Sequence, residues 1–537
     1  MKRFISLILA IGLLLSVFCV SGCGEEIEID KNKTQLYIGV TDGGLGREYI
    51  ENYIKDYEAI HQDVQIIPSY KKTEYQTDML KTNMPYNKQD VYFLWSCDYQ
   101  SFAANNLLLD ITDITTEKAY DADGELSENG TLSIADRFKD EIFTTHYNLG
   151  TKDAPKYYGL PFYSFPVGII YDADLFDSKS LYFTSDGSIG AKSTDADLGA
   201  GPDGVSGTLD DGLAPTWNDF MELLQYMRNA SIIPFTWCGA FSYQKEYVIQ
   251  SIIANYSGKE NYTLNYSLNG HESDLDEDIN VDNGYLLGAQ PGKKAALKAA
   301  YDILSNSENY SSKAFFATQT HTMAEQEFLQ SIDGVGDPVA MLFEGGYWET
   351  EAKPVFDGLE KQNADWGYGK RNFKLMTIPR FIDTEGVEDQ TNDRSVLTMS
   401  YDTSMICISK DTSVPDLAKD FVKFVLSRTN MAKFTMSTGA MFNYNYEMKP
   451  EEIAGCTTFV KDIYQKYSDA NIDKVYDVIL SDHIKSNMAY FGRWVAESSV
   501  GTSVYSDAFT AIYNNNKATF EQIWDDSVSY RQNTWNK

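Results

Sequence analysis

The chain has 537 residues and carries 78 acidic against 45 basic side chains, a net charge of −33. A surface this acidic repels phosphate backbones, which excludes nucleic acid as a partner, and the length exceeds what one hydrophobic core holds, so at least two domains are expected. Five histidines with no HExxH pairing, and six cysteines with no CxxC, leave no transition-metal or redox motif to build on.

Taken in chain order, the first element is a leader. Lys2 and Arg3 precede an uncharged apolar run from Phe4 to Val20, which ends in Val20-Ser21-Gly22-Cys23. This is the pattern of a secretory signal with small residues at its cleavage point. A cysteine directly after Ser-Gly resembles a bacterial lipobox, which implies cleavage after residue 22 and a diacylglyceryl group on the Cys23 thiol. Loss of Lys2 and Arg3 with the leader leaves 43 basic and 78 acidic side chains, or −35. No later stretch is long and apolar enough to span a bilayer. Cys97, Cys238, Cys407 and Cys456 are widely spaced and read as small buried residues rather than disulfides.

Residues 23–34 form a polar tether. "QLYIGV" (35–40) then predicts a strand, "TDGGLG" (41–46) a loop, and Tyr49, Ile50, Tyr53, Ile54, Tyr57 and Ile60 a helix by their spacing. "DVQIIPSY" (63–70) and "DVYFLW" (90–95) predict two more strands, each followed by a helix. This βαβαβα order signals a parallel sheet, in which ligands sit beyond the carboxyl ends of the strands. Asp42 lies at that end of the first strand, and Trp95, Asp98 and Tyr99 lie at that end of the third. Further on, strands are predicted within 156–176, 339–345, 373–381 and 396–411, and helices over 215–227 and 414–427, the former opened by a capping-box-like Thr216 and Asp219.

Between them lies "TDADLGAGPDGVSGTLDDG" (194–212). "GAGPDG" satisfies G-x-G-x-x-G formally, but it follows no strand and is surrounded by aspartates, so a phosphate site is rejected. Asp195, Asp197, Asp203, Asp210 and Asp211 alternating with glycines suit either a calcium loop or a solvated hairpin, and the pattern departs from an EF-hand.

The chain resembles the family 1 extracellular solute-binding proteins, the carbohydrate-binding lipoproteins of ABC importers, with maltose-binding protein as a distant relative. The resemblance rests on the lipobox, the strand–loop–helix at 35–62, "DVYFLWSCDYQSFAANNLLLDIT", "YGLPFYSFPVGIIYD", "AMLFEGGYWETEA", "FKLMTIPRF" and "SYDTSMICISKDTSVPDLAKDFVKFVLS", in that order. It implies a two-lobed α/β fold of the type II periplasmic-binding-protein kind, with lobe 1 at 35–166 plus 376–437, lobe 2 at 167–375 plus 438–537, and an insertion at about 178–214. Crossings between lobes would fall near Phe162–Gly168, Leu375–Arg380 and Thr435–Met441. It further implies a monomer without catalytic activity or a required cofactor. Such a protein captures an oligosaccharide in its cleft and presents it to the membrane subunits of an importer. An aromatic ring covers the C–H face of a sugar while carboxylates and phenols meet its hydroxyls. On this basis Trp95, Asp98 and Tyr99 face the sugar from one lobe and Trp348 stacks from the other. Tyr163, Tyr401-Asp402, Trp237 and Glu344 are weaker candidates. A surface glycoside hydrolase, which needs two carboxylates across the scissile bond, is the alternative from another class, and a peptide or other polar solute is the alternative ligand.

Overall fold

A computed structural model describes residues 27–95, 97–192, 194–332, 335–401, 404–478, 496–497, 504–505, 507–515 and 518–535. The leader, Cys23 and Asp402 lie outside the described residues.

Strands β1 (Thr34–Thr41), β2 (Val64–Lys71), β3 (Val91–Leu94) and β4 (Gly159–Pro161) belong to one sheet. Strands β5 (Tyr163–Asp172), β6 (Ile233–Thr236), β7 (Val339–Gly345), β8 (Phe373–Leu375) and β9 (Val396–Ser400) belong to a second. The chain returns to the first sheet with β10 (Met405–Ile408) and to the second with β11 (Met441–Phe442) and β12 (Asp473–Tyr476). The order in the first sheet is β2-β1-β3-β10-β4, in which β2, β1 and β3 are parallel. The second runs β12-β9-β5-β7-β6, with β8 and β11 paired antiparallel to the two ends of β5. All ten residues of β5 are buried, as a strand at the centre of a covered sheet requires.

Local sequence accounts for these elements. In the helix Glu48–Ile60, Tyr49, Ile50, Tyr53 and Tyr57 fall on the buried face at spacings of three and four. The Thr216 hydroxyl accepts from the Asp219 amide at 3.2 Å, and the Asp219 carboxylate accepts from the Thr216 amide at 3.1 Å, so a full capping box opens the helix Trp217–Asn229. Cys97, Cys238, Cys407 and Cys456 are buried free thiols.

Three passages join the sheets. The first is at Phe162, between β4 and β5. The second lies between β9 and β10, because Val396–Ser400 pairs with β5 in the second sheet. This corrects the passage expected near Leu375–Arg380: there β8 stays in register with β5, and Arg380 bridges to Thr216 inside the second lobe. The third follows the helix Arg428–Thr438, which packs Phe434 against Tyr49 before β11 joins β5. The Ser404 hydroxyl accepts from the Tyr163 amide at 3.0 Å and donates to its carbonyl at 2.7 Å, and Ser164 donates to Asn443 at 2.6 Å. These bonds tie all three passages into one strap behind the cleft.

Candidate functional site

The carboxyl ends of the parallel strands of both sheets converge on this cleft. From the first lobe, β1 delivers the loop Asp42–Gly46 and β3 delivers Trp95. Asp42 is paired with Arg47 at 2.6 Å, and the Arg47 guanidinium lies 4.5 Å above the Tyr70 ring. Two glycines thread this loop between rings. A Cβ at Gly43 would lie 2.5 Å from Trp95, and one at Gly44 would lie 2.5 Å from Tyr347 of the opposite lobe. The half-buried Trp95 has an indole N–H with no acceptor among the described residues, and the Thr41 hydroxyl at the end of β1 likewise has no partner. Unsatisfied groups of this kind are costly in a folded core and suit a cleft that receives a polar guest.

The second lobe contributes an aromatic wall. Phe165 packs edge-on to Tyr347 at 4.6 Å and to Tyr247 at 6.1 Å. Tyr247 contacts Tyr243, and Tyr243 stacks on Phe241 at 5.7 Å. Phe241 and Tyr243 are 48% and 38% exposed, large values for such rings, and they sit at the outer end of the row. Carboxylates lie beside the wall. Glu344, the penultimate residue of β7, accepts from Gln244 at 3.0 Å and from the Gly345 amide at 2.7 Å. Burial, reinforced by the charge of Glu351, pushes its pKa up to about 7. Glu351 contacts His321 at 3.2 Å, which raises the imidazole pKa, and Lys72 of the first lobe acts on the same ring. Glu325 is fully buried against Glu351 and is pushed far above the usual carboxylate range, chiefly by desolvation.

A family model described as bacterial extracellular solute-binding protein matches residues 43–432. The chain belongs to this family. Solved structures share the fold across almost the whole chain. The solute-binding protein RafE in complex with raffinose is 14% identical with a TM-score of 0.53, covering 93% of this chain and 100% of its own. A chitin oligosaccharide binding protein is 13% identical, TM-score 0.54, covering 94% and 100%. The Thermus thermophilus maltotriose binding protein bound with maltotriose is 12% identical, TM-score 0.51, covering 93% and 99%. No curated protein matches the chain by sequence.

For this solute-binding protein, the structure gathers Asp42, Trp95 and Glu344 at the cleft and sends other predicted residues elsewhere. Trp348 is completely buried, ringed by Phe328, Phe356, Phe373 and Phe459. It is a core residue of the second lobe, and Tyr347 holds the position across from Gly44 instead. Trp237 is also fully buried, stacked on Phe343 at 4.9 Å. Tyr99 is buried and donates to the Tyr147 carbonyl at 2.9 Å. Tyr401 is buried against Tyr147 and donates to the Ser404 carbonyl at 2.9 Å, which places it in the strap. Tyr163 is buried beneath Trp95 beside Phe162 and Phe434. Asp98 is exposed, and its carboxylate caps the helix Tyr99–Ala104 by accepting from the Ser101 amide at 3.1 Å. Phe241, Tyr243, Tyr247 and Tyr347 were not singled out from the sequence. The signal was the i, i+4 pair Tyr243 and Tyr247 just beyond a strand end.

The aspartate-rich loop also resolves into backbone contacts. Asp197 accepts from Thr194, Asp203 from the Val205 amide at 2.7 Å, Asp210 from the Asp203 amide at 3.2 Å, and Asp211 from the Gly207 amide at 2.7 Å. Asp195 is exposed near Lys192. Among the described residues no group of three or more histidine, cysteine, aspartate or glutamate side chains is placed to hold a metal ion.

Proposed function

We propose that this protein captures an oligosaccharide outside the cell and hands it to the membrane subunits of an ABC importer, held to the membrane by lipid on Cys23. The observation that carries the ligand class is the row Tyr347, Phe165, Tyr247, Tyr243 and Phe241, which meets the first-lobe loop where Tyr347 lies against Gly44, one residue from the Gly43 that packs on Trp95. Aromatic side chains suit the C–H faces of successive sugars, and the unpartnered Trp95 indole and Thr41 hydroxyl suit their hydroxyls. Similar folds bind raffinose and maltotriose, which supports the same reading. The strap across three passages supports closure of the lobes around the ligand as a hinge motion. Lipid on Cys23 is the proposed attachment because Cys23 directly follows Val20-Ser21-Gly22 at the end of the apolar leader. Each buried CH₂ of that lipid contributes about 0.8 kcal/mol.

A thermal-shift screen over oligosaccharides tests the ligand class, since a solute at about 100 times its Kd stabilises the folded state by about 2.7 kcal/mol. Trp95→Ala should weaken the best ligand by about 2–4 kcal/mol in calorimetric titration while leaving the unfolding midpoint nearly unchanged. The opposite pattern would return Trp95 to ordinary packing. Chromatography of the recovered sugar separates capture from hydrolysis, because a binder returns its ligand intact. Mass spectrometry of the native mature protein should show a lipidated Cys23, and an unmodified thiol there would exclude the anchor.

A further inference from the structure

We propose that the cleft holds one end of a linear oligosaccharide, and that the rest of the chain leaves over Tyr243, Phe241 and Phe316, which form a further subsite on the lip of the second lobe. This rests on the carbohydrate reading above and adds the manner of capture and the length of the ligand.

The first observation is that the two ends of the aromatic row differ. At the Tyr347 end the lobes touch. A Cβ at Gly44 would stand 2.5 Å from the Tyr347 ring and 3.2 Å from the Glu351 carboxyl carbon, and one at Gly46 would stand 3.2 Å from Thr350. Nearby, the Lys353 ammonium of the second lobe donates to the Glu48 carboxylate of the first at 2.8 Å. A sugar ring does not pass between surfaces in contact, so the chain ends here. From Tyr347 the ring centroids step 4.6 Å to Phe165, 6.1 Å to Tyr247, 6.0 Å to Tyr243 and 5.7 Å to Phe241. Phe165 is buried, Tyr247 is half-buried, and Tyr243 and Phe241 are exposed. The row therefore runs from a shut end to one that the first lobe leaves open to water.

The second observation lies outside the cleft. The loop that carries Phe241 is bound to a neighbouring loop, because the Gly239 and Ala240 amides donate to the Gln319 carbonyl at 2.9 and 3.0 Å. A Cβ at Gly239 would stand 2.5 Å from the Phe316 carbonyl oxygen, so the two loops lie backbone to backbone. Phe316 is 55% exposed. Large apolar rings left in water on adjoining loops mark a binding surface rather than packing. This one is continuous with the row through the contact of Phe241 with Tyr243, which makes the outgoing chain its occupant. Its three rings carry no charge and suit the C–H faces of further sugars. Units beyond the lip project into water, so chain length has no upper limit.

The test is calorimetric titration of the full mature protein with malto-, cello-, xylo- and chito-oligosaccharides, each from the disaccharide to the octasaccharide. In the series that binds, affinity should rise about tenfold or more from the disaccharide to the pentasaccharide and then stay level to the octasaccharide. Octasaccharides carrying a bulky fluorophore at the reducing or at the non-reducing terminus should differ, one keeping its affinity and the other losing about tenfold or more. Phe241→Ala and Phe316→Ala should each weaken the pentasaccharide about two- to tenfold more than the disaccharide. The length series and the labelled chains on the unaltered protein decide the matter if either variant misfolds. An affinity that is level from the disaccharide onwards, or that falls with length, overturns the open end, and equal behaviour of the two labelled chains overturns the shut one. Losses in the variants that are absent or independent of length overturn the lip subsite. Binding only of sugars no longer than a trisaccharide overturns the proposal and leaves the carbohydrate reading standing. Failure of every saccharide to bind overturns both.

Discussion

Tyr347 and Trp348 are neighbours in sequence with opposite surroundings, and truncating each should move a different observable. Trp348 has no exposure and touches four phenylalanine rings of the second lobe. Removing a fully buried indole forfeits its transfer free energy and leaves a cavity, so Trp348→Ala should cost about 3–5 kcal/mol of stability. With m near 3 kcal/mol/M, the urea midpoint falls by roughly 1 M or more. Trp348→Phe should cost much less than Trp348→Ala, because it keeps most of the ring contact and removes an indole N–H that has no partner. Tyr347 is half-buried, with one edge on Phe165 and the other against Gly44. Tyr347→Ala should shift the midpoint far less and weaken the sugar by about 2–4 kcal/mol, a loss of some 30- to 1,000-fold. Urea unfolding followed by far-ultraviolet circular dichroism, beside calorimetric titration of the same variants, reads both quantities. If Trp348→Ala abolishes binding at near-normal stability while Tyr347→Ala does neither, the placement of this turn is refuted.

Gly44→Ala puts a methyl within 2.5 Å of the Tyr347 ring and should oppose closure by about 1–3 kcal/mol, raising the apparent Kd about 5- to 150-fold. An unchanged Kd and an unchanged closed radius of gyration by small-angle scattering would count against that contact. Burial raises Glu344 and Glu349 to about 7 and Asp210 and Asp507 to about 6. Each binds its proton more tightly folded than unfolded, so the melting temperature should be highest near pH 5 and fall as pH rises to about 8. A flat or rising profile over that window contradicts the burial of these groups. Because the loop aspartates are engaged with backbone amides, a chelator should leave the melting temperature unchanged. A calcium-dependent rise lost in Asp203→Asn would show instead that the loop binds the ion.

The periodicities of this chain determine its local structure. Tyrosines three and four apart make the helix Glu48–Ile60, the Thr216 and Asp219 pair starts the helix Trp217–Asn229, and β1, β2 and β3 are apolar runs ending at loops. Even the convergence of Asp42 and Trp95 at one end of the sheet follows from the βαβ order, because a helical crossover makes successive strands parallel and so puts their carboxyl ends on one side. The family pattern likewise survives in linear order over residues 43–432.

Which aromatic ring meets the cleft was decided only in three dimensions. Trp348, Trp237 and Tyr401 sit near strand ends as Trp95 does, yet each points into a core, since one residue along a tight turn rotates a side chain from one face to another. The passage between β9 and β10 was hidden for a related reason. An apolar strand reads the same in either sheet, and only its antiparallel register with β5 assigns Val396–Ser400 to the second lobe. The cluster beside the aromatic wall draws Gln244, Glu325, Glu344 and Glu351 from three separate stretches of the chain, and no local pattern announces it. Long-range packing alone brings those carboxyls out of water and together, and that burial is what sets their chemistry.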